Sequence, residues 1–168
     1  SFPARNGEHT GFGSMNSSSA SDVIDLADGL FDAIQLGPAG KTKSSDSSPY
    51  TGTIFSGNPL FIDLKQLTTK EWDKILSEDT YKKVVENNPQ QNQGKTAYSY
   101  IFKTQNEVLK EAWANFKKSK KLHKEFEKFK KENAFWLDND SLYEALSIDN
   151  ENDYWPIWNS EVDKNLLN

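Results

Sequence analysis

Apolar side chains recur at helical spacing over much of the chain, with one long polar stretch between them. Ala20, Val23, Ile24 and Ala27 fall on one helical face, with Ser19 or Ser21 able to cap the start and Gly29 to end it. Residues 1–19, before this helix, read as loop. Phe31 to Leu36 is a short apolar run stopped by Gly37-Pro38, which predicts one buried strand. Leu60 to Leu64 reads as a second short extended run. Thr68-x-x-Glu71 has the form of a capping box ahead of Trp72, Ile75 and Leu76. Residues 80–86 predict a short helix, and the polar stretch 87–93, with Pro89, a break. Tyr98, Ile101, Phe102, Leu109, Ala112, Trp113 and Phe116 form a stripe along about five turns of helix. Leu122, Phe126 and Phe129 predict a separate helix, and Leu142, Tyr143 and Leu146 a third. Tyr154, Trp155, Pro156 and Trp158 close the pattern.

One or two strands cannot make a sheet alone. The order of elements therefore reads as a segment of an α/β protein with a helical insertion. Residues 37–59 are the main irregular segment, punctuated by Gly37, Pro38, Gly40, Pro49, Gly52, Gly57 and Pro59. Loops of that length in a compact domain tend to carry function, and Tyr50, in a Gly/Ser/Pro loop beyond the end of a strand, is a binding candidate.

Composition narrows the chemistry. Of 168 residues, 25 are acidic and 20 basic, for a net charge of −5, which argues against nucleic acid as the main partner. Aromatics at 12% supply core material although apolar residues reach only 35%. There is no cysteine, which excludes disulfides and thiol catalysis, and the two histidines, His9 and His123, argue against a histidine-based metal site. No apolar run matches a membrane span, and the reading is of a cytoplasmic chain with no membrane partner, metal or cofactor.

Several tempting motifs dissolve on inspection. Gly40-Lys41-Thr42 follows an apolar run, but Gln35 stands where a phosphate-binding loop needs glycine. The lysines from 117 to 131 are interleaved with Glu125 and Glu127, the pattern of a solvated helix face, and His123 on the same helix reads as a surface or boundary residue. Asp63, between Ile62 and Leu64, reads as a hydrogen-bonded structural carboxylate. Tyr154, Trp155 and Trp158 could stack on a sugar but fit better as an anchor onto a core.

Three motifs taken together are more specific. Leu36-Gly37-Pro38-x-Gly40, Ser48-Pro49-Tyr50 and Phe55-x-Gly57-Asn58-Pro59-x-x-Ile62-Asp63-Leu64 occur in that order. They resemble the start of the 4-alpha-glucanotransferases, the amylomaltases or disproportionating enzymes of glycoside hydrolase family seventy-seven. Phe126-x-x-Phe129, Glu132-Asn133-Ala134-x-Trp136-Leu137 and Leu142-Tyr143-x-Ala145-Leu146 resemble that family's inserted helical subdomain. The chain departs from the pattern at Gln35, usually proline, and at Ser45, often tyrosine. Ser1-Phe2-Pro3 resembles the segment just after the first barrel strand, so the resemblance implies an N-terminal part that begins beyond that strand.

The resemblance implies a (β/α)8 barrel. Residues 1–66 would be a partial barrel segment about the second strand, residues 67–160 a helical insertion, and residues 161–168 a tail. It implies transfer of α-1,4-glucan segments to a glucose or maltooligosaccharide acceptor by retaining double displacement. The family's catalytic Asp and Glu residues lie downstream of this stretch, so no catalytic residue is assigned and the chain alone is expected to be inactive. Ser48 and Tyr50 match the loop that lines the glucan cleft, with Pro49, Gly57, Asn58 and Pro59 as its support. A glucan-binding module without catalysis, or a helical protein-interaction module over residues 95–146, stays open.

Overall fold

The computed structural model describes residues 4–5, 7–13, 18–43, 46–50, 57–91, 93 and 95–166. The chain divides into two units, Ser1–Lys124 and Glu125–Asn168. Among the described residues five α-helices run in order: α1 (Ser18–Ala27), α2 (Glu78–Glu86), α3 (Tyr98–Phe116), α4 (Lys120–Asp149) and α5 (Glu161–Asn165). Short 3-10 turns at Pro59–Phe61, Gln66–Thr68, Lys70–Trp72 and Trp155–Ile157 fill connections between them.

Helix α1 ends where its sequence says it should. Gly29 takes φ +73°, a left-handed geometry that costs glycine little, and the Phe31 N–H closes back on the Ala27 carbonyl at 3.0 Å. The strand predicted after it does not form. Leu30 and Phe31 are each 71% exposed, Ile34 43% and Leu36 50%, and the backbone there has no ladder partner. Among the described residues the fold contains no strand. An isolated antiparallel bridge pairs Gly40 with Gly57. The expected α/β class, with a partial (β/α)8 barrel segment about strand two, is therefore corrected to a helical chain. Apolar pattern makes a segment competent for a strand, but only a neighbouring strand can satisfy its backbone N–H and C=O groups. The second extended run is likewise corrected: Pro59–Phe61 is a 3-10 turn begun by the proline ring.

The helical expectations hold in part. Helices α2 and α3 lie where periodicity put them. The capping box at Thr68 is not used, because the Thr68 hydroxyl donates to the Lys65 carbonyl at 2.8 Å. The cap that does form is at Ser77, whose Oγ accepts from the Thr80 N–H at 3.1 Å. The two helices expected over 122–129 and 142–146 are one continuous helix, α4, since no Gly or Pro interrupts residues 120–149.

Two apolar clusters hold the first unit. The larger joins Leu64, Leu67, Ile75, Leu76, Val84, Val108, Ala112 and Leu122, with Leu76 fully buried. Each buried Leu, Ile or Val there contributes about 1.5–3 kcal/mol of burial. The smaller joins Phe12, Leu60 and Ile101. Its Phe12 comes from a segment read as loop, and residues 9–13 are in fact anchored. The His9 ring Nε2 lies 2.9 Å from the Lys95 carbonyl, Asn88 Nδ2 donates to the His9 carbonyl at 3.0 Å, and the Ala97 N–H donates to the Gly11 carbonyl at 2.8 Å.

The second unit is tied by Trp158, which is 3% exposed and donates from Nε1 to the Asn152 carbonyl at 2.6 Å. Tyr143 stacks on its ring at 6.2 Å. Asn150 Nδ2 also reaches Asp163 Oδ2 at 3.0 Å, joining the end of α4 to α5.

Gly11 has φ +106°, and a Cβ there would lie 3.1 Å from the Tyr100 ring and 3.2 Å from Ile101 Cβ. Gly11→Ala is expected to cost about 1–3 kcal/mol, read as a drop in the urea midpoint. A second prediction concerns acid. Burial raises the Glu111 carboxyl, but donation from the Thr80 hydroxyl (2.6 Å) and the Ser77 N–H (2.9 Å), with the Ser77 hydroxyl and Lys83 behind them, holds it below its ordinary 4.5. Its folded value is depressed, so its stabilisation is fully present above 4.5 and is lost as pH falls through the lower folded value. Glu111→Gln should flatten the acid limb of a urea-midpoint profile, and an unchanged limb would refute the assignment.

Candidate functional site

Asn58 organises the loop that carries the three leading motifs. It is 5% exposed, and each of its polar groups is used. Its N–H donates to the Ala39 carbonyl at 3.1 Å, and its Nδ2 to Thr42 Oγ1 at 3.0 Å. Its Oδ1 accepts from the Leu60 N–H at 3.0 Å, capping the Pro59–Phe61 turn. One residue, through its backbone and side chain, thus fastens residues 39–42 to residues 58–60. The Gly40–Gly57 bridge runs beside it. Pro59 then presents its carbonyl to Gln105 Nε2 at 2.9 Å, which ties the loop to α3.

Between these limbs lies a cleft of about 230 Å³. Leu36, Pro38, Pro49 and the rings of Phe12, Phe61 and Tyr98 give it an apolar wall, while Thr42, Ser47 and Asn58 add polar atoms. The rings support one another edge to face, with centroids 5.2 Å apart for Phe12–Phe61 and 6.1 Å for Phe12–Tyr98.

The predicted residues divide across this geometry. Pro49 and Asn58 line the cleft, while Gly57 and Pro59 do not line it but pair with Gly40 and Gln105 respectively. Ser48 is half-buried, and its N–H donates to Asp46 Oδ1 at 2.9 Å in a tight polar turn. Tyr50 is 81% exposed, with its N–H 3.4 Å from Ser48 Oγ. Neither Ser48 nor Tyr50 lines the cleft; they flank Pro49, which does. Residues 44–45 and 51–56, including Ser45, Gly52 and Phe55, lie outside the described residues.

Phe12, Thr42, Tyr98 and Gln105 were not read as part of the site. Tyr98 carried the signal of a core stripe, and Thr42 belonged to the phosphate-loop decoy. No helix starts within residues 41–43 or 46–50, so Gly40-Lys41-Thr42 does not present helix N-terminal amides to a phosphate. The lysine-rich face of α4 forms ordinary ion pairs, Lys130–Glu127 at 2.7 Å and Lys128–Glu132 at 3.7 Å. His123 stacks on Phe116 at 4.8 Å. Among the described residues no group of three His, Asp or Glu side chains is placed to hold a metal, and no helix is long and apolar enough to cross a membrane.

A family model described as 4-alpha-glucanotransferase matches residues 2–166, which takes in the loop, the cleft and all five helices. The chain belongs to the 4-alpha-glucanotransferase family. It is similar to the 4-alpha-glucanotransferase of Clostridium butyricum, 34% identical over 128 residues that make up 76% of this chain and 25% of the relative. The Thermus thermophilus 4-alpha-glucanotransferase is 31% identical over 114 residues, 67% of this chain and 21% of that protein. The Aquifex aeolicus 4-alpha-glucanotransferase is 28% identical over 134 residues, 79% and 24%. The chain thus spans about a quarter of the length of the 4-alpha-glucanotransferases it matches. No solved structure matches it significantly.

Within this member of the family, Asn58 should behave as the clamp of the loop. Asn58→Ala is expected to lower stability by about 1–3 kcal/mol, because it strands the buried Leu60 N–H and removes the Thr42 contact. Thr42→Val should cost less, and a double-mutant cycle should show the two coupled. Additive losses would mean that the Asn58–Thr42 bond holds nothing.

Proposed function

We propose that this chain supplies part of the glucan-binding surface of a 4-alpha-glucanotransferase. In this reading the enzyme moves α-1,4-glucan segments to a glucose or maltooligosaccharide acceptor by retaining double displacement. Ser48 and Tyr50 contact the glucan, and Pro49, Gly57, Asn58 and Pro59 fix the loop that presents them. The catalytic carboxylates belong to the rest of the polypeptide, so residues 1–168 alone carry out no transfer.

One observation supports this reading most. A Tyr ring 81% exposed stands next to Pro49, which lines a cleft of about 230 Å³ built from aromatic and polar side chains. That combination suits a sugar, whose faces pack on rings and whose hydroxyls need polar partners. The phenol of Tyr50 can do both.

A second reading, a helical interaction module, has its own observation. On the part of α4 in the second unit, Phe135 is 79% exposed and Phe129 45%. In the complete enzyme, Tyr50→Ala should lower kcat/KM for maltooligosaccharide transfer by about 10-fold or more, with Ser48→Ala weaker in the same direction. Phe135→Ser should leave transfer unchanged. The reverse pattern, or full transferase activity in residues 1–168, would defeat the first reading.

A further inference from the structure

A second, much smaller cavity shares Phe12 with the cleft, and its chemistry is different. Asp63 is only 9% exposed. Its Oδ1 accepts from the Lys65 N–H at 3.0 Å, but its Oδ2 is shut off from bulk solvent and accepts from no group among the described residues. A buried carboxylate oxygen without a donor is costly, and such groups are normally satisfied by protein or by ordered water. Asp63 lines a cavity of about 20 Å³ with Glu8, Thr10, Lys65 and Tyr81. A site needs roughly 10–15 Å³ and two to four polar partners to take one water. We propose that this cavity is a solvent site, in which one ordered water donates to Asp63 Oδ2 and bridges it to a second polar side chain of the lining.

The charges favour water over a metal ion. Lys65 is paired with Glu8, so one negative charge, that of Asp63, faces the cavity without a cation. Burial, with the Glu8 and Asp63 charges behind it, pushes the Tyr81 hydroxyl up to about 12. Tyr81 therefore stays protonated at neutral pH and offers a permanent O–H donor. The three chain segments that meet here are the N-terminal stretch, the residues following the Gly57-Asn58-Pro59 turn, and α2. The water is thus a non-covalent tie between parts of the chain far apart in sequence.

A crystal structure of the complete protein, at a resolution that defines single waters, tests this. One solvent peak is expected within hydrogen-bond distance of Asp63 Oδ2 and of a second lining atom. It should carry no anomalous signal after a thallium(I) soak. The peak should persist in Asp63→Asn, which keeps a polar atom at that place, and vanish in Asp63→Val. A peak that thallium occupies would make this a cation site and overturn the proposal. So would a cavity without density, or Oδ2 bonded directly to a protein donor. Should Asp63→Val not fold, the wild-type soak and Asp63→Asn still decide.

Discussion

The hydrogen bond from Gln105 to the Pro59 carbonyl joins the candidate loop to α3. Gln105 is 2% exposed and sits on the face of α3 that also carries Ile101, Val108 and Ala112. An amide in that apolar stripe is tolerated only because it has a fixed partner, and the partner is the loop. The position of the cleft therefore depends on how α3 seats on Leu64, Leu67 and Leu76 as well as on the loop's own bonds.

From that seat the loop is fastened outward in steps. Gln105 holds Pro59, Asn58 caps the turn and holds Thr42, and the Gly40–Gly57 bridge aligns the limbs. The forces are buried hydrogen bonds and ring packing. The exposed pair Arg5–Asp22, at 2.8 Å from Nε to Oδ2, lies in solvent, where screening leaves such pairs little weight. Helix α4 follows a similar economy at its start, where Ser119 Oγ accepts from the Leu122 N–H at 3.1 Å and donates to Asp73.

Much of this was legible from residues alone. The stripe from Tyr98 to Phe116 carries its own period, so α3 was readable, as was α2. The family was legible from Ser48-Pro49-Tyr50 and Gly57-Asn58-Pro59, because three ordered motifs are hard to match by chance. The absence of a strand at 31–36 was not, because strand formation depends on a partner elsewhere in the chain. The single span of α4 was missed because the polar run Asp138-Asn139-Asp140-Ser141 separates its apolar groups, although helix continuity needs only the absence of breakers. His9, Gly11 and Phe12 were missed for another reason. Their anchors, Lys95, Asn88 and Ala97, lie about eighty residues away in sequence, where no local pattern can announce them.

The exposed run from Leu30 to Leu36 has a consequence for handling the molecule. Four large apolar side chains within seven residues, each at least 43% exposed, form an adhesive strip. A net charge of −5 spread over 168 residues gives only mild mutual repulsion between copies. The strip therefore favours self-association of residues 1–168 in isolation, an effect that added salt strengthens by screening the repulsion and leaving the apolar attraction intact.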